Sequence, residues 1–204
     1  PNLGGMEVGL HNLANQLVQK GHNPIVITSF SIYKKIKKLN YRFNYEIKYF
    51  PPGVFTLFKF SSTLGNYYFK QIFKNFNKKY NFDVWHLTSA YPLGISYVRY
   101  SKDIRIPYIL RCVGEDIQID NSINYGYANN QKNKKLIKKY LPQAQNLVAT
   151  SKSVEECYKK YNVLNSKIHK IPNGVLTKSF DIKINQSLER KKLGLRSEAL
   201  TLIS

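Results

Sequence analysis

Pro1-Asn2-Leu3-Gly4-Gly5-Met6-Glu7 opens the stretch that decides the fold: a glycine loop, a helix, the pair Gly21-His22, and then Pro24-Ile25-Val26-Ile27-Thr28. From Glu7 onward Leu10, Leu13, Ala14, Leu17 and Val18 recur at helical spacing, and Gly21 stands where a left-handed cap ends a helix. The pattern predicts one helix over Glu7 to Lys20 with a single buried face. The β-branched run after it predicts a strand covered on both sides, as in parallel sheets. Gly4 and Gly5 have no β-carbon and lie beside the free N–H groups at the positive end of that helix. They make a candidate cradle for an anion such as a diphosphate. The competing reading is a plain turn, with Glu7 placed early because a carboxylate favours a helix start.

Working outward, similar apolar runs recur at Asp83-Val84-Trp85-His86-Leu87, Tyr108-Ile109-Leu110, Asn146-Leu147-Val148-Ala149-Thr150 and Lys167-Ile168-His169-Lys170-Ile171. Each has the length and β propensity of a strand. Helical stretches lie between them, at roughly Leu64 to Lys79, Leu93 to Tyr100, Asn130 to Tyr140 and Val154 to Tyr161. Strands alternating with helices predict an α/β fold with a doubly wound, Rossmann-like parallel sheet, in which ligands sit beyond the carboxyl ends of the strands. After Pro172-Asn173-Gly174-Val175 the pattern weakens until Leu188 to Leu193, Gly194 and a final strand-like run, Ala199 to Ser204. The expected organisation is a domain over residues 1–172 whose first strand is missing, a linker over 173–185, and over 186–204 the start of a truncated second domain.

At 204 residues, 43% of them hydrophobic, the chain fills one good core. No stretch is long and apolar enough to cross a bilayer. Cys112 and Cys157 match no metal spacing and fit a reducing cytoplasm, with a bridge between them left open. The net charge of +20 favours an acidic partner: anionic lipid, nucleic acid or an anionic substrate. No nucleic-acid recognition motif accompanies it, so no nucleic acid is expected as partner. Lys, Asn, Ile and Tyr are abundant together, which also fits drift in A- and T-rich coding DNA.

Four segments in order make a far more specific pattern than any one alone. They are Gly4-Gly5-Met6-Glu7 with Gly21-His22; Phe82-Asp83-Val84-Trp85-His86; Pro107 to Ile117 with Gly114-Glu115-Asp116; and Ser151 with Ile171-Pro172-Asn173-Gly174-Val175. Together they resemble the N-terminal domain of the family 4 (group 1) retaining glycosyltransferases. The resemblance implies the GT-B architecture, two Rossmann-like domains facing a cleft. It also implies that this half binds mainly the acceptor, while the other holds the nucleotide sugar and a paired-glutamate motif. By position, Gly4 and Gly5 correspond to the loop meeting the donor diphosphate and acceptor, Ser151 to the residue opening a cleft-facing helix, and Asn173 to the connection between domains. The bland alternatives are a helix cap for Ser151 and an Asn-Gly turn at Asn173. Two positions depart from the family pattern. Val113 stands where a histidine commonly orients the transferred sugar, and Leu176 where Asn-Gly-Val is commonly followed by Asp. Arg111, Glu115 or Asp116 are the polar groups left to supply the missing contacts.

His86 ends a strand at the ligand edge and is a candidate acceptor contact, with a satisfied core histidine as the alternative. His11 and His169 have no cysteine or carboxylate set around them, and no metal site is expected. Glu115-Asp116 is the only adjacent acidic pair outside helices and is assigned to substrate binding. Lys34, Lys35, Lys37 and Lys38 flank a helical face of Ile32, Ile36 and Leu39, a basic amphipathic element suited to an anionic membrane surface. Val54-Phe55, Leu57-Phe58 and Phe60 add apolar surface downstream, and Lys132, Lys134, Lys135, Lys138 and Lys139 form a second basic cluster. The expected function is transfer of a sugar, without a cofactor, from a nucleotide-diphosphate sugar to a saccharide or lipid-linked acceptor, peripherally at the cytoplasmic face of the membrane. Its rivals are a non-catalytic basic domain on anionic lipid and a GT-B sugar epimerase.

Overall fold

The computed structural model describes residues 4–39, 41–175, 177 and 185–196. It divides into two compact units, Pro1–Asn173 and Gly174–Ser204. The first unit begins with α1 (Gly5–Gln19), β1 (Ile25–Ser29), α2 (Phe30–Lys37), β2 (Glu46–Phe50), α3 (Val54–Phe60) and α4 (Ser62–Tyr80). It continues with β3 (Trp85–Thr88), α5 (Ile95–Ile104), β4 (Tyr108–Arg111), α6 (Gln131–Tyr140), β5 (Leu147–Ala149), α7 (Lys152–Lys160) and β6 (Ile168–Lys170). Every strand pairing is parallel: β1 with β2, and β3, β4, β5 and β6 in that order. Parallel neighbours need a crossover between them, and helices supply it, giving the Rossmann-like α/β layering the sequence predicts.

Local chemistry fixes the helix ends. The hydroxyls of Ser29, Ser61 and Ser151 accept the N–H of Ile32, Leu64 and Val154, and the Asn130 side chain accepts those of Lys132 and Asn133. Each satisfies a donor that the first helical turn leaves without an intrahelical partner. At the end of α1, Gly21 (φ 82°) lets its N–H reach the Val18 carbonyl while the His22 N–H reaches that of Leu17. These two bonds close the helix in a Schellman arrangement.

One aromatic core links both sheets. Phe50 of β2 lies edge-on to Phe69 and Phe73 of α4, with centroids 5.9 and 6.4 Å away, and Phe73 in turn meets Trp85 of β3 at 5.0 Å and Tyr97 of α5 at 4.9 Å. The Tyr97 hydroxyl donates to the Ile106 carbonyl at 2.9 Å, so its polar end is satisfied inside the core. Truncating a ring such as Phe73 costs about 3–5 kcal/mol.

The structure corrects three expectations about burial. In α1 only Ala14 is fully buried, and β1 is half-buried along its length. Among the described residues β1 pairs only with β2, so this sheet is too narrow to cover a whole helix face. On α2 the residues turned toward the protein are Phe30, Tyr33 and Ile36, followed by Leu39 just beyond its end, whereas Ile32 is exposed. Downstream, Val54 and Phe58 belong to the core and only Phe60, 87% exposed, is surface.

The second unit contributes α8 (Gln186–Lys192), capped by the Asn185 side chain on the Leu188 N–H at 3.2 Å. The strand expected over Ala199 to Ser204, and Leu176, lie outside the described residues.

Candidate functional site

The carboxyl ends of β3 and β4 carry the polar residues that the sequence singled out. Arg111 is the last residue of β4, in register with Thr88 of β3 and Val148 of β5. Its guanidinium donates to the Asn173 side-chain oxygen, the last residue of the first unit. It also lies against α1: a β-carbon at Gly9 would stand 3.6 Å from an Arg111 terminal nitrogen. His86, two residues before Thr88, is close enough to feel that charge. Burial first, and Arg111 second, push its pKa from 6.5 down to about 4, so the imidazole is neutral at pH 7. Arg111, His86, Asn173 and the first part of α1 are therefore neighbours.

The N-terminus of α1 holds its own anion. Gly4 precedes the first helical turn in extended conformation, and a β-carbon there would come within 2.8 Å of a Glu7 carboxylate oxygen. Glu7 thus stands beside Gly4 in the first turn of α1, where a negative charge is favoured.

The acidic pair divides. Glu115 is exposed, whereas Asp116 is 1% exposed and spends its carboxylate on three backbone N–H groups. One oxygen accepts from Val113 and Gly114, both at 3.0 Å; the other accepts from Ala90. Asp116 therefore ties the loop after β4 to the loop after β3 and has no face left for substrate, unlike the role expected of it. Charge-assisted hydrogen bonds of this kind make a rigid junction.

Ser151 is the cap of α7 and also bonds Ser153 Oγ at 2.9 Å, the structural reading of this residue. It edges a shallow recess shared with Thr150, Lys152, Glu155, Lys159 and Lys170. Glu155 there is paired with Lys159 at 2.6 Å and Lys170 at 2.9 Å. The structure does not bring Ser151 into contact with Arg111. Lys34, Lys35, Lys37 and Lys38 are all exposed on α2. Lys34 lies over the Phe30 ring at 4.8 Å and Lys37 over Tyr33 at 5.6 Å. Cys112 and Cys157 are free thiols, and burial pushes Cys112 well up, which keeps it protonated.

Sequence reasoning missed the loop after β3. Ser89 sits at φ 88°, a conformation that costs a non-glycine residue of order 1–3 kcal/mol. It is held by its N–H on the Arg111 carbonyl at 2.9 Å and its hydroxyl on the Tyr91 carbonyl at 2.8 Å. No local signal marks a Ser for this role, because the backbone bond that holds it goes to Arg111 on the next strand. Asp116 had a partial one: an Asp side chain in a loop commonly bonds neighbouring backbone N–H groups, as it does here with Val113 and Gly114.

The family model for Glycosyltransferase Family 4 matches residues 3–178. The chain belongs to that family. Two solved structures share the fold. The crystal structure of Anabaena Alr3699/HepE in complex with UDP superposes with a TM-score of 0.61 at 14% identity, and covers 94% of this chain and 47% of its own. The same protein in complex with UDP and glucose gives 0.59 at 13%, with the same coverage. The chain thus spans about half the length of the structures it matches. No curated protein matches the sequence. Among the described residues no group of three His, Cys, Asp or Glu side chains is gathered as metal ligands. None of the described helices is long and apolar enough to cross a membrane.

Proposed function

We propose that this family 4 glycosyltransferase chain forms the acceptor-side half of an enzyme that moves a sugar, with retention at its anomeric carbon, from a nucleotide-diphosphate sugar to a saccharide or lipid-linked acceptor. The observation that carries the reading is the seat of Arg111: a cation at the carboxyl end of β4, beside α1 and next to a neutral His86. The Glu7 carboxylate in the first turn offsets part of the helix dipole at α1, and Arg111 supplies the positive charge. Preorganised positive charge near a departing diphosphate is the main device available for such a transfer. Gly4 and Gly5 leave room for it, and neutral His86 is suited to accept or donate a hydrogen bond to a sugar hydroxyl. Exposed Glu115 takes acceptor hydroxyls, where Val113 makes no such bond. Retention, and a nucleotide-sugar domain starting near residue 186, are part of the same proposal and are what the resemblance to the retaining family 4 enzymes implies.

A lipid-linked acceptor at the cytoplasmic face of the membrane fits the exposed lysines of α2 and exposed Phe60, since each lysine near an anionic surface is worth about 1 kcal/mol. The experiment uses the full polypeptide that carries this chain, with a panel of nucleotide sugars and free or lipid-linked acceptors. Transfer is expected, with Arg111→Gln lowering kcat at least tenfold, the size of losing one charge contact to the leaving group. Arg111→Gln at wild-type rate removes the assigned role of Arg111; no donor consumed with any acceptor removes the enzymatic reading.

A further inference from the structure

Beyond Arg111, the same edge of the sheet carries a pair of tyrosines that the assigned groups do not use. Tyr91 follows strained Ser89, and Tyr127 lies in the connection from β4 to α6; their rings are 5.8 Å apart at 40°. Tyr91 is half-buried and braced from behind by Phe58, whose ring meets it edge-on at 5.2 Å. Tyr127 leaves 46% of its surface free.

Both backbones are locked. The Tyr91 carbonyl accepts the Ser89 hydroxyl, and the neighbouring Ala90 N–H is held by buried Asp116. The Tyr127 N–H donates to the Glu115 carbonyl at 2.9 Å, and its carbonyl accepts the Asn133 side chain at 3.0 Å. The preceding turn is pinned by reciprocal bonds between Asp120 and Tyr125 and by Gly126 (φ 101°), where a β-carbon would overlap the Gln118 carbonyl. Glu115, exposed, belongs to the same loop, and after burial its charge is the second cause that pushes the Tyr125 pKa up.

We infer that Tyr91 and Tyr127 form a rigid stacking platform for one pyranose ring of the acceptor, with Glu115 accepting its hydroxyls. A pyranose has an apolar C–H face and a rim of hydroxyls; the electron-rich face of a tyrosine suits the first and a carboxylate the second. A carboxylate at this edge disfavours an anionic headgroup, so the platform is assigned to the sugar part of the acceptor. The inference rests on the acceptor-side reading above.

The test uses the full polypeptide and methyl pyranosides of glucose, galactose, mannose and N-acetylglucosamine as probes, followed by saturation-transfer NMR and, separately, by acceptor kinetics. Expected is transfer to the ring C–H protons of at least one probe, lost in Tyr127→Ala and kept in Tyr127→Phe. In kinetics, Tyr127→Ala raises the acceptor KM about tenfold, the loss of one well-packed aromatic contact, while donor KM and donor hydrolysis by water stay unchanged. No probe showing ring transfer, or Tyr127→Ala matching wild type, overturns the platform. So does a fall in thermal stability with donor and acceptor KM moving together, which marks Tyr127 as packing alone. Ring transfer that depends on Tyr127, in a protein that consumes no donor, keeps the platform and overturns the transferase reading instead.

Discussion

His86 gives the sharpest consequence of this geometry. With its pKa near 4 in the folded chain and 6.5 when unfolded, the unfolded state binds the proton more readily as pH falls. The stability contributed by neutral His86 is therefore complete above about pH 6.5 and lost progressively down to about pH 4. Between pH 7 and pH 5 the loss from this one group is about 2 kcal/mol. The perturbation is His86→Gln, which keeps a polar side chain but does not titrate. Denaturant unfolding at pH 7 and pH 5, for both proteins, isolates the histidine as the difference of differences. Wild type should lose about 2 kcal/mol more than His86→Gln over this range. In parallel, the imidazole NMR signal absent from His86→Gln should stay in its neutral position to below pH 5. Because Arg111 is the second cause of the shift, Arg111→Gln should move that titration upward. Equal pH dependence of wild type and His86→Gln, or a His86 signal titrating near 6.5, refutes the burial and the Arg111 proximity argued here.

Asp116→Asn replaces one acceptor oxygen by an NH2 facing backbone donors, and should cost about 2–4 kcal/mol in denaturant unfolding; a loss under 1 kcal/mol would remove Asp116 as the junction of the two loops. Gly126→Ala meets both a positive φ and the Gln118 carbonyl, whereas Gly21→Ala meets only the positive φ with open space around it. Thermal melts should show about 1 kcal/mol for Gly21→Ala and clearly more for Gly126→Ala. Replacing Lys34, Lys35, Lys37 and Lys38 together by Gln should weaken sedimentation with phosphatidylglycerol vesicles by about 1 kcal/mol per lysine at low salt. Binding to neutral vesicles as strong as to anionic ones would remove the charge argument.

The repeated strand-and-helix periodicity made most of the fold legible: β3, β4 and β5 stand on apolar runs that the core covers, and β1 and β6, though only partly buried, stand on the remaining strand-like runs. β2 escaped, since Glu46 and Lys48 interrupt its apolar pattern and its burial rests on Phe50 reaching the aromatic face of α4. α3 escaped as a helix because its start is a left-handed Gly53 and its seven residues are too few to show a period. At the site, sequence order located Arg111, His86 and Asn173, but not that Arg111 joins the other two and lies against Gly9 of α1; that adjacency comes from the tertiary fold. Adjacent acidic residues looked alike in sequence, yet Asp116 became internal scaffold once β3 and β4 paired and brought Ala90 over it. Ser89, Tyr91 and Tyr127 were unreadable because their placement also depends on contacts outside their own segments: Ser89 on Arg111, Tyr91 on Phe58 and Tyr127 on Glu115.

The central claim is that a glycosyl group passes across the edge built by α1, β3 and β4. The most direct measurement is proton NMR of the product formed when the full polypeptide meets nucleotide sugars of defined anomeric configuration and an acceptor panel. A new glycoside with the donor's anomeric configuration is expected, formed at a reduced rate by Arg111→Gln. An inverted glycoside, or donor left intact with every acceptor, would contradict the claim.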